Sequence, residues 1–398
     1  MQNITDIKIQ NTFRILDAIR FNDGRTKKEI ASDTGLSFAT VSNICRELRE
    51  KGLIIEEQVD KSEAGIGRVP HNILLNYNDF FGVCIDMHNR GQIVLAITNL
   101  RNEIVSKKEV HLKKSTKLMD FAKECLSTTL QACVEAGLDK EQLLSLCVAV
   151  PAIYDKNTGL TVGAYDGMHV SFLEGQPLKA TFEEVFEIPV FVDNETNIAS
   201  MSVTSNDVLN VKNVQNLIYI LCSEGLGVGI ISHNKQIVGC DGYGAEICHI
   251  PIGEGNILCK TCGNIGCVES ELTTSGFVTK YLGNSGWNKE EIFQLWDKFL
   301  LAVEAEDEKA LAVVAENAKI LGKLTSILVN LFDPEVIYIG GNISVLFERI
   351  KATIEEEVTS RLIARKANST LILEDCDENT ILYGCGEIVY NKIDFSAL

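Results

Sequence analysis

The sequence predicts an N-terminal winged helix-turn-helix followed by a larger α/β body of two lobes, and three observations carry that prediction. Helical periodicity with two well-capped helices dominates the first 75 residues, whereas strands and helices alternate afterwards. Charge also changes with position. Residues 1–75 hold eleven basic and eleven acidic side chains, so the net charge of -18 resides entirely in the rest of the chain. Finally, a strand-and-helix plan that starts near residue 80 begins again near residue 216. A chain of 398 residues exceeds one ordinary core. A composition of 45% hydrophobic and 23% charged residues is that of a soluble globular protein. The start, MQNITDIKIQNTF, lacks a basic segment followed by an apolar block, and no apolar run is long enough for a membrane span, so the expected location is cytoplasmic. The expected boundaries are 1–75, 76–195 and 196–398, the last segment's final helix being a candidate to return to the first lobe.

In the first segment, Phe13, Ile15, Leu16 and Ile19 form an apolar stripe on a helix over 11–20. Thr26 and Glu29 form a capping box for a second helix, Gly35 breaks the chain, and Ser37 caps a third helix on which Val41, Ile44 and Leu48 recur at helical spacing. Two short helices joined by a tight turn make a helix-turn-helix. The third helix is the expected reader: its buried stripe leaves Ser37, Phe38, Thr40, Ser42, Asn43 and Arg46 for the major groove, and Thr26, Lys27 and Lys28 for phosphates. A strand over 53–59 and a turn over 60–67 form the wing, from which Arg68 reaches the minor groove or backbone. The acidic body argues against DNA contact elsewhere. A small helical docking module is the alternative reading.

Strands are expected at 80–86, 92–100, 102–112 and 143–151, with a helix over 116–136 between the last two. The polar stretch from Pro151 to Gly175 is too long for a simple connection and is a candidate ligand loop. A strand over 189–193 then delivers Asp193, Asn194, Glu195 and Asn197 to its carboxyl end, where open α/β sheets bind ligands. Glu195 is a general-base candidate there, or merely caps and charges the first turn of the next helix. The second copy of the plan reads as a strand over 216–222, a glycine-rich turn SEGLGVGI, a hairpin continuation, helices through much of 271–331, a strand ending at Gly340 and Gly341, and a last helix from Cys385 toward Ile393.

Inserted in this second half, His249, Cys259, Cys262 and Cys267 fall within nineteen residues, with Gly255, Gly263 and Gly266 letting the backbone turn between them. Three soft thiolates and an imidazole suit a tetrahedral zinc ion, one per chain and structural in role. Ordinary buried cysteines are the alternative; disulfides fit poorly with an odd total of thirteen cysteines. Glu246 and Glu269 flank the cluster and would be held near one pocket.

These residues give the chain a resemblance, over essentially its whole length, to the ROK family of sugar kinases and sugar-responsive repressors, in its longer repressor branch. The family's cysteine signature is matched by His249, Cys259, Cys262, Gly263, Gly266, Cys267 and Glu269, with one extra residue between the first two cysteines. The resemblance implies a sugar-kinase-like body of the actin/hexokinase, ribonuclease H-like type. It also implies that Asn194, Glu195, Glu246, His249 and Glu269 meet sugar hydroxyls while the 151–167 loop closes over the ligand.

Kinases of the family cradle phosphate on bare glycines. Here Asp86 is followed by Met87, His88, Asn89 and Arg90, the second phosphate turn reads Glu224-Gly225-Leu226-Gly227, and the catalytic aspartate position holds Glu195. The expected protein is therefore not an enzyme. It is a sugar-responsive repressor that binds a palindromic double-stranded operator as a homodimer or dimer of dimers, without membrane contact. The alternatives are an ATP-dependent sugar kinase with an added DNA-binding domain, and an activator on the same scaffold.

Overall fold

The structure is a computed structural model that describes residues 4–22, 24–58, 71–87, 93–111, 117–162, 173–203, 214–252, 257–259, 262–284, 286–362, 370–373 and 379–395. The N-terminal unit comprises α1 (Ile4–Arg20), β1 (Arg25–Thr26), α2 (Lys27–Thr34), α3 (Phe38–Glu50), β2 (Ile54–Gln58) and β3 (His71–Leu75). Both halves of the Thr26–Glu29 capping box are formed, Gly35 closes α2 in the left-handed region, and the Ser37 side chain accepts the Thr40 N–H. The buried stripes of the helices meet in one cluster containing Ile15, Leu16, Ile19, Ile30, Val41, Ile44 and Leu48. β2 and β3 pair antiparallel from Ile54↔Leu75 to Gln58↔His71. The second wing strand thus occupies 71–75, where the sequence shows only a change of periodicity. The expected wing turn and Arg68 lie outside the described residues.

The body opens with β4 (Phe81–Asp86), β5 (Ile93–Asn99), β6 (Ile104–Val110), α4 (Leu118–Ala136), β7 (Leu143–Val150), β8 (Ile153–Asp155), β9 (Leu160–Val162), α5 (Leu178–Phe186), β10 (Val190–Asn194) and α6 (Glu195–Ser202). It continues with β11 (Leu217–Cys222), β12 (Leu226–Ser232), β13 (Lys235–Gln236), α7 (Glu269–Leu272), α8 (Thr274–Leu282), α9 (Lys289–Glu304), α10 (Glu308–Phe332), β14 (Val336–Gly340), α11 (Phe347–Arg361), β15 (Thr370–Leu373) and α12 (Thr380–Asn391). The two five-stranded sheets run β10-β7-β4-β5-β6 and β15-β14-β11-β12-β13. In each, the first three strands are parallel and the rest antiparallel, so the second sheet repeats the plan of the first. The outer face of the first sheet is covered by α4 and α5 through Phe121, Phe182 and Phe186. That of the second is covered by α8 to α11 through Phe277, Trp296, Leu321 and Ile354.

The inner faces do not meet directly. α6 and α12 lie between them, and their Ile198, Ala199, Leu382, Cys385 and Val389 share one apolar cluster with Cys84 and Cys147 of the first sheet and Tyr219 and Tyr338 of the second. Three sequence expectations change for reasons visible here. SEGLGVGI is a turn only as far as Gly225; its remainder belongs to β12, where Gly227 and Gly229 are needed because Thr196 and Ser200 of α6 fill the space a Cβ would take. The last helix starts at Thr380, not Cys385, since Gly384 is no breaker: α6 passes so close that a Cβ there would strike the Ile198 carbonyl. α11 and β15 had no counterpart in the reading of the sequence. Among the described residues, no helix is long and apolar enough to cross a membrane.

Candidate functional site

The cysteine loop begins with His249 at the end of a single 3-10 turn and ends at Cys267, just before α7. Between them a small knuckle is closed by an antiparallel bridge between Leu258 and Ile265, by Cys259 N–H donating to the Asn264 carbonyl at 2.8 Å, and by Gly263 N–H donating to the Cys259 carbonyl at 2.9 Å. Gly263 and Gly266 sit at φ 74° and 88°, which a side chain would strain. The outcome is that one ligand atom from each of His249, Cys259, Cys262 and Cys267 lies within 4.8 Å of all the others. The Cys262 and Cys267 sulfurs are 3.4 Å apart, and the Cys259 sulfur is 3.7 Å from His249 Nδ1. The cluster is geometrically consistent with a structural metal site, its four candidate ligand atoms lying close enough together to surround one ion.

Electrostatics favour capture of a cation. The Asn264 backbone N–H, aided by the Cys267 thiol, lowers the Cys262 pKa to about 7, so that this exposed thiol is readily ionised. Burial, aided by Cys262, pushes Cys267 up to about 12. A metal ion would supply the charge that ionises it. The Glu269 carboxylate accepts from the Cys259 thiol at 3.3 Å and lies 4.0 Å from His249 Nδ1, backing the cluster from the first turn of α7.

Next to this cluster several carboxylates gather around Glu246. Burial raises the pKa of Glu246; the Cys248 thiol and His249 act against that rise, while the carboxylates of Glu195 and Glu269 add to it. Glu195, His249 and Glu269 are therefore each within electrostatic reach of Glu246, although the four residues come from α6, the loop before the knuckle, and α7. Asn194 caps α6: its Oδ1 accepts the Thr196 and Asn197 N–H groups at 2.8 and 3.4 Å, and its Nδ2 donates to the Ala152 carbonyl at 3.3 Å. The helix cap is thus Asn194, with Glu195 the first helical residue, 9% exposed.

The β8–β9 hairpin crosses this opening. Lys156 pairs with Asp193 at 2.7 Å, and Asn157 donates to Asp241 of the second lobe at 2.8 Å. Neither contact was anticipated, because a polar loop carries no periodic signal. Of the expected ligand loop, residues 163–172 lie outside the described residues, as do His88, Asn89 and Arg90.

At the second phosphate turn, Glu224 does more than add a negative charge. Its carboxylate accepts from Asn342 at 2.8 Å, on the turn after β14, and from Ser223 at 3.2 Å. A hydrogen-bonded carboxylate therefore stands at the turn that the resemblance assigns to phosphate. Asn342 was missed; Gly340 and Gly341 before it were the available signal.

On the N-terminal unit, Ser37, Phe38, Asn43 and Arg46 are exposed, Phe38 by 58%, and Thr40 and Ser42 are half-buried beside them. Lys28 is exposed and Thr26 half-buried, whereas Lys27 is held by Glu56 at 2.8 Å. One helix thus presents a polar face with an apolar knob at its N-terminal end, the surface a major-groove reader needs.

Comparison with known proteins agrees with this arrangement. The ROK family model matches residues 83–386, and a winged helix-turn-helix DNA-binding model matches residues 10–55. The chain is 27% identical to the xylose repressor of Caldicellulosiruptor bescii, covering 99% of this chain and 98% of that protein. It is 24% identical to the DNA-binding transcriptional dual regulator NagC of Escherichia coli K12, covering 96% and 92%. Among solved structures, a ROK family transcriptional regulator described as a homologue of the E. coli MLC protein superposes with a TM-score of 0.76 at 22% identity, over 97% of both chains.

Proposed function

The chain belongs to the ROK family, and from that premise we propose that it is a sugar-responsive DNA-binding regulator, acting as a repressor of carbohydrate-utilisation genes. The observation that carries the reading is the pairing, on one chain, of an exposed helix-turn-helix face with a two-lobed body whose Glu224 carboxylate, hydrogen-bonded to Asn342, occupies the turn that the resemblance assigns to phosphate. Relatives named as xylose repressor and as NagC align along nearly the whole chain, which supports the same reading.

In this reading Asn194, Glu195, Glu246, His249 and Glu269 bind sugar hydroxyls. Carboxylates accept from hydroxyls, and Asn194 Nδ2 keeps one hydrogen beyond its bond to Ala152. His249, Cys259, Cys262 and Cys267 hold a zinc ion, which fixes the knuckle and thereby the His249 ring. With Nδ1 turned to the cysteines, Nε2 is left for the sugar. Ser37, Phe38, Thr40, Ser42, Asn43 and Arg46 read bases, Thr26, Lys27 and Lys28 contact phosphates, and Arg68 reaches the minor groove or backbone. Two copies related by a two-fold axis bind a palindromic operator, since one helix spans too few bases for useful specificity. Sugar shifts operator occupancy by its differential affinity for two arrangements of the lobes.

The test is selection of duplexes from a random pool by the full-length protein, followed by mobility-shift titration with D-xylose and N-acetylglucosamine. A palindromic consensus whose affinity changes with one sugar is expected. Failure to enrich any sequence overturns the regulator reading, and sugar-dependent ADP release at about 1 per second or faster would replace it with a kinase.

A further inference from the structure

We infer that α12 carries the state of the sugar cleft to the DNA-reading unit, with the buried Arg20–Glu387 pair as its joint. This rests on the regulator reading for its two sites, but the path between them is observed independently. α6 starts in the cleft with Asn194 as cap and Glu195 as first residue. Three residues after Glu195, the Ile198 carbonyl abuts Gly384 of α12 so closely that no side chain fits between. Both helices lie in the layer between the two sheets, so a change in lobe closure has to displace or rotate them.

The far half of α12 is clamped to α1. Arg20 donates to both carboxylate oxygens of Glu387, at 2.8 and 2.7 Å, and through Nε to the Leu100 carbonyl at 2.7 Å. Asn102 Nδ2 donates to Glu387 at 2.9 Å and to the Tyr383 carbonyl at 2.8 Å. Tyr390 donates to Asp17 at 2.9 Å, and its ring lies 3.7 Å beneath the Arg20 guanidinium. The side chains of Arg20 and Glu387 are each 3% exposed. An apolar contact tolerates sliding by fractions of an ångström. A buried bidentate pair that is also tied to the Leu100 carbonyl and to Asn102 is kept or lost as a unit. α1 therefore follows α12, and the third helix, packed on α1, follows both.

The inference is tested on full-length protein with a duplex selected by the wild type, and D-xylose and N-acetylglucosamine as probes. Sugar binding is measured by calorimetry, and duplex affinity with and without sugar. The variants are Arg20→Met/Glu387→Met, which removes both charges together, and Tyr390→Phe, which keeps the ring and loses only the bond to Asp17. In the wild type the active sugar should change duplex affinity by about tenfold or more. In the double variant sugar and duplex should each bind within about threefold of wild type while the sugar effect falls below about twofold, and Tyr390→Phe should lie between. Should the double variant fail to fold, Tyr390→Phe decides alone, and a full sugar effect in it overturns the inference. A folded double variant with the full effect overturns it likewise. A wild type that binds both ligands without mutual influence refutes the coupling but leaves DNA recognition standing; one that selects no duplex ends the regulator reading and the inference together.

Discussion

The cysteine knuckle and the α1–α12 joint are both built from side chains that rarely sit together without a reason, yet they are opposite in construction. The knuckle draws four donors from nineteen consecutive residues and has little core: Cys262 is exposed, and Leu258 and Ile265 are each 57% exposed. The joint unites side chains 367 residues apart, inside an apolar cluster that includes Ile15, Leu16, Ile19, Leu100 and Tyr390. A site with no core of its own depends on a ligand for rigidity. A site within a core depends on the matching of its charges.

That contrast is broken most directly by removing metal. Binding free energies for structural zinc in small domains run to about 10–16 kcal/mol near neutral pH, so chelation or Cys267→Ser should produce the largest effect. The purified protein should carry about one zinc per chain by elemental analysis. Without it, limited proteolysis should open the segment between Ile252 and Glu269, while hydrogen exchange in α1 to α3 stays as it was. Metal-free protein with an intact knuckle would show that the loop holds itself together.

The joint should respond to unmatched charge. Glu387→Ala strands a buried guanidinium and is expected to cost about 3–5 kcal/mol by urea unfolding. Arg20→Met/Glu387→Met should stay within about 1–2 kcal/mol of wild type, because the desolvation of both ions is relieved at once. Equal losses in the two variants would mean that packing, and not charge, holds α1 to α12.

The same contrast explains what could be read in advance. The cluster of His249, Cys259, Cys262 and Cys267, the Thr26–Glu29 box and the Ser37 cap are local patterns, and each appears where the spacing put it. So do β4, β5, β7, β10, β11 and β14, whose apolar runs need no partner to be recognised. What escaped was set by distant neighbours. Gly384 resembles a helix breaker until Ile198 is seen against it, and Gly227 and Gly229 resemble a turn until α6 is placed across β12. Glu224 could be read as a charge in the wrong place, but its partner Asn342 lies 118 residues away. Arg20 and Glu387 look like solvated charges at the ends of amphipathic helices, and only the docking of the N-terminal unit buries them.

A smaller effect tests whether the N-terminal unit has stability of its own apart from the joint. Thr26→Ala removes the side chain that accepts the Glu29 N–H and should cost about 1 kcal/mol, seen as faster hydrogen exchange in α2 with α12 unchanged. Spread of that effect into α12 would mean that reading unit and body open together.

The smallest effect concerns a third charged group, half-buried where the joint is fully buried. Glu56 on β2 accepts from Lys27 at 2.8 Å and from Arg49 at 3.2 Å, and the hydrogen bond to Lys27 is the main reason its pKa falls below the ordinary 4.5. A depressed carboxylate contributes stability that is complete above its unfolded value and is lost as pH falls through its folded one. The N-terminal unit should therefore loosen slightly as pH drops below 4.5, and Glu56→Gln should flatten that limb of the stability curve. The same carboxylate holds one of the lysines expected on phosphate. Glu56→Gln should release Lys27, tighten non-specific duplex binding, and steepen its salt dependence by up to about one counterion. An unchanged salt slope would show that Lys27 faces Glu56 and never the DNA.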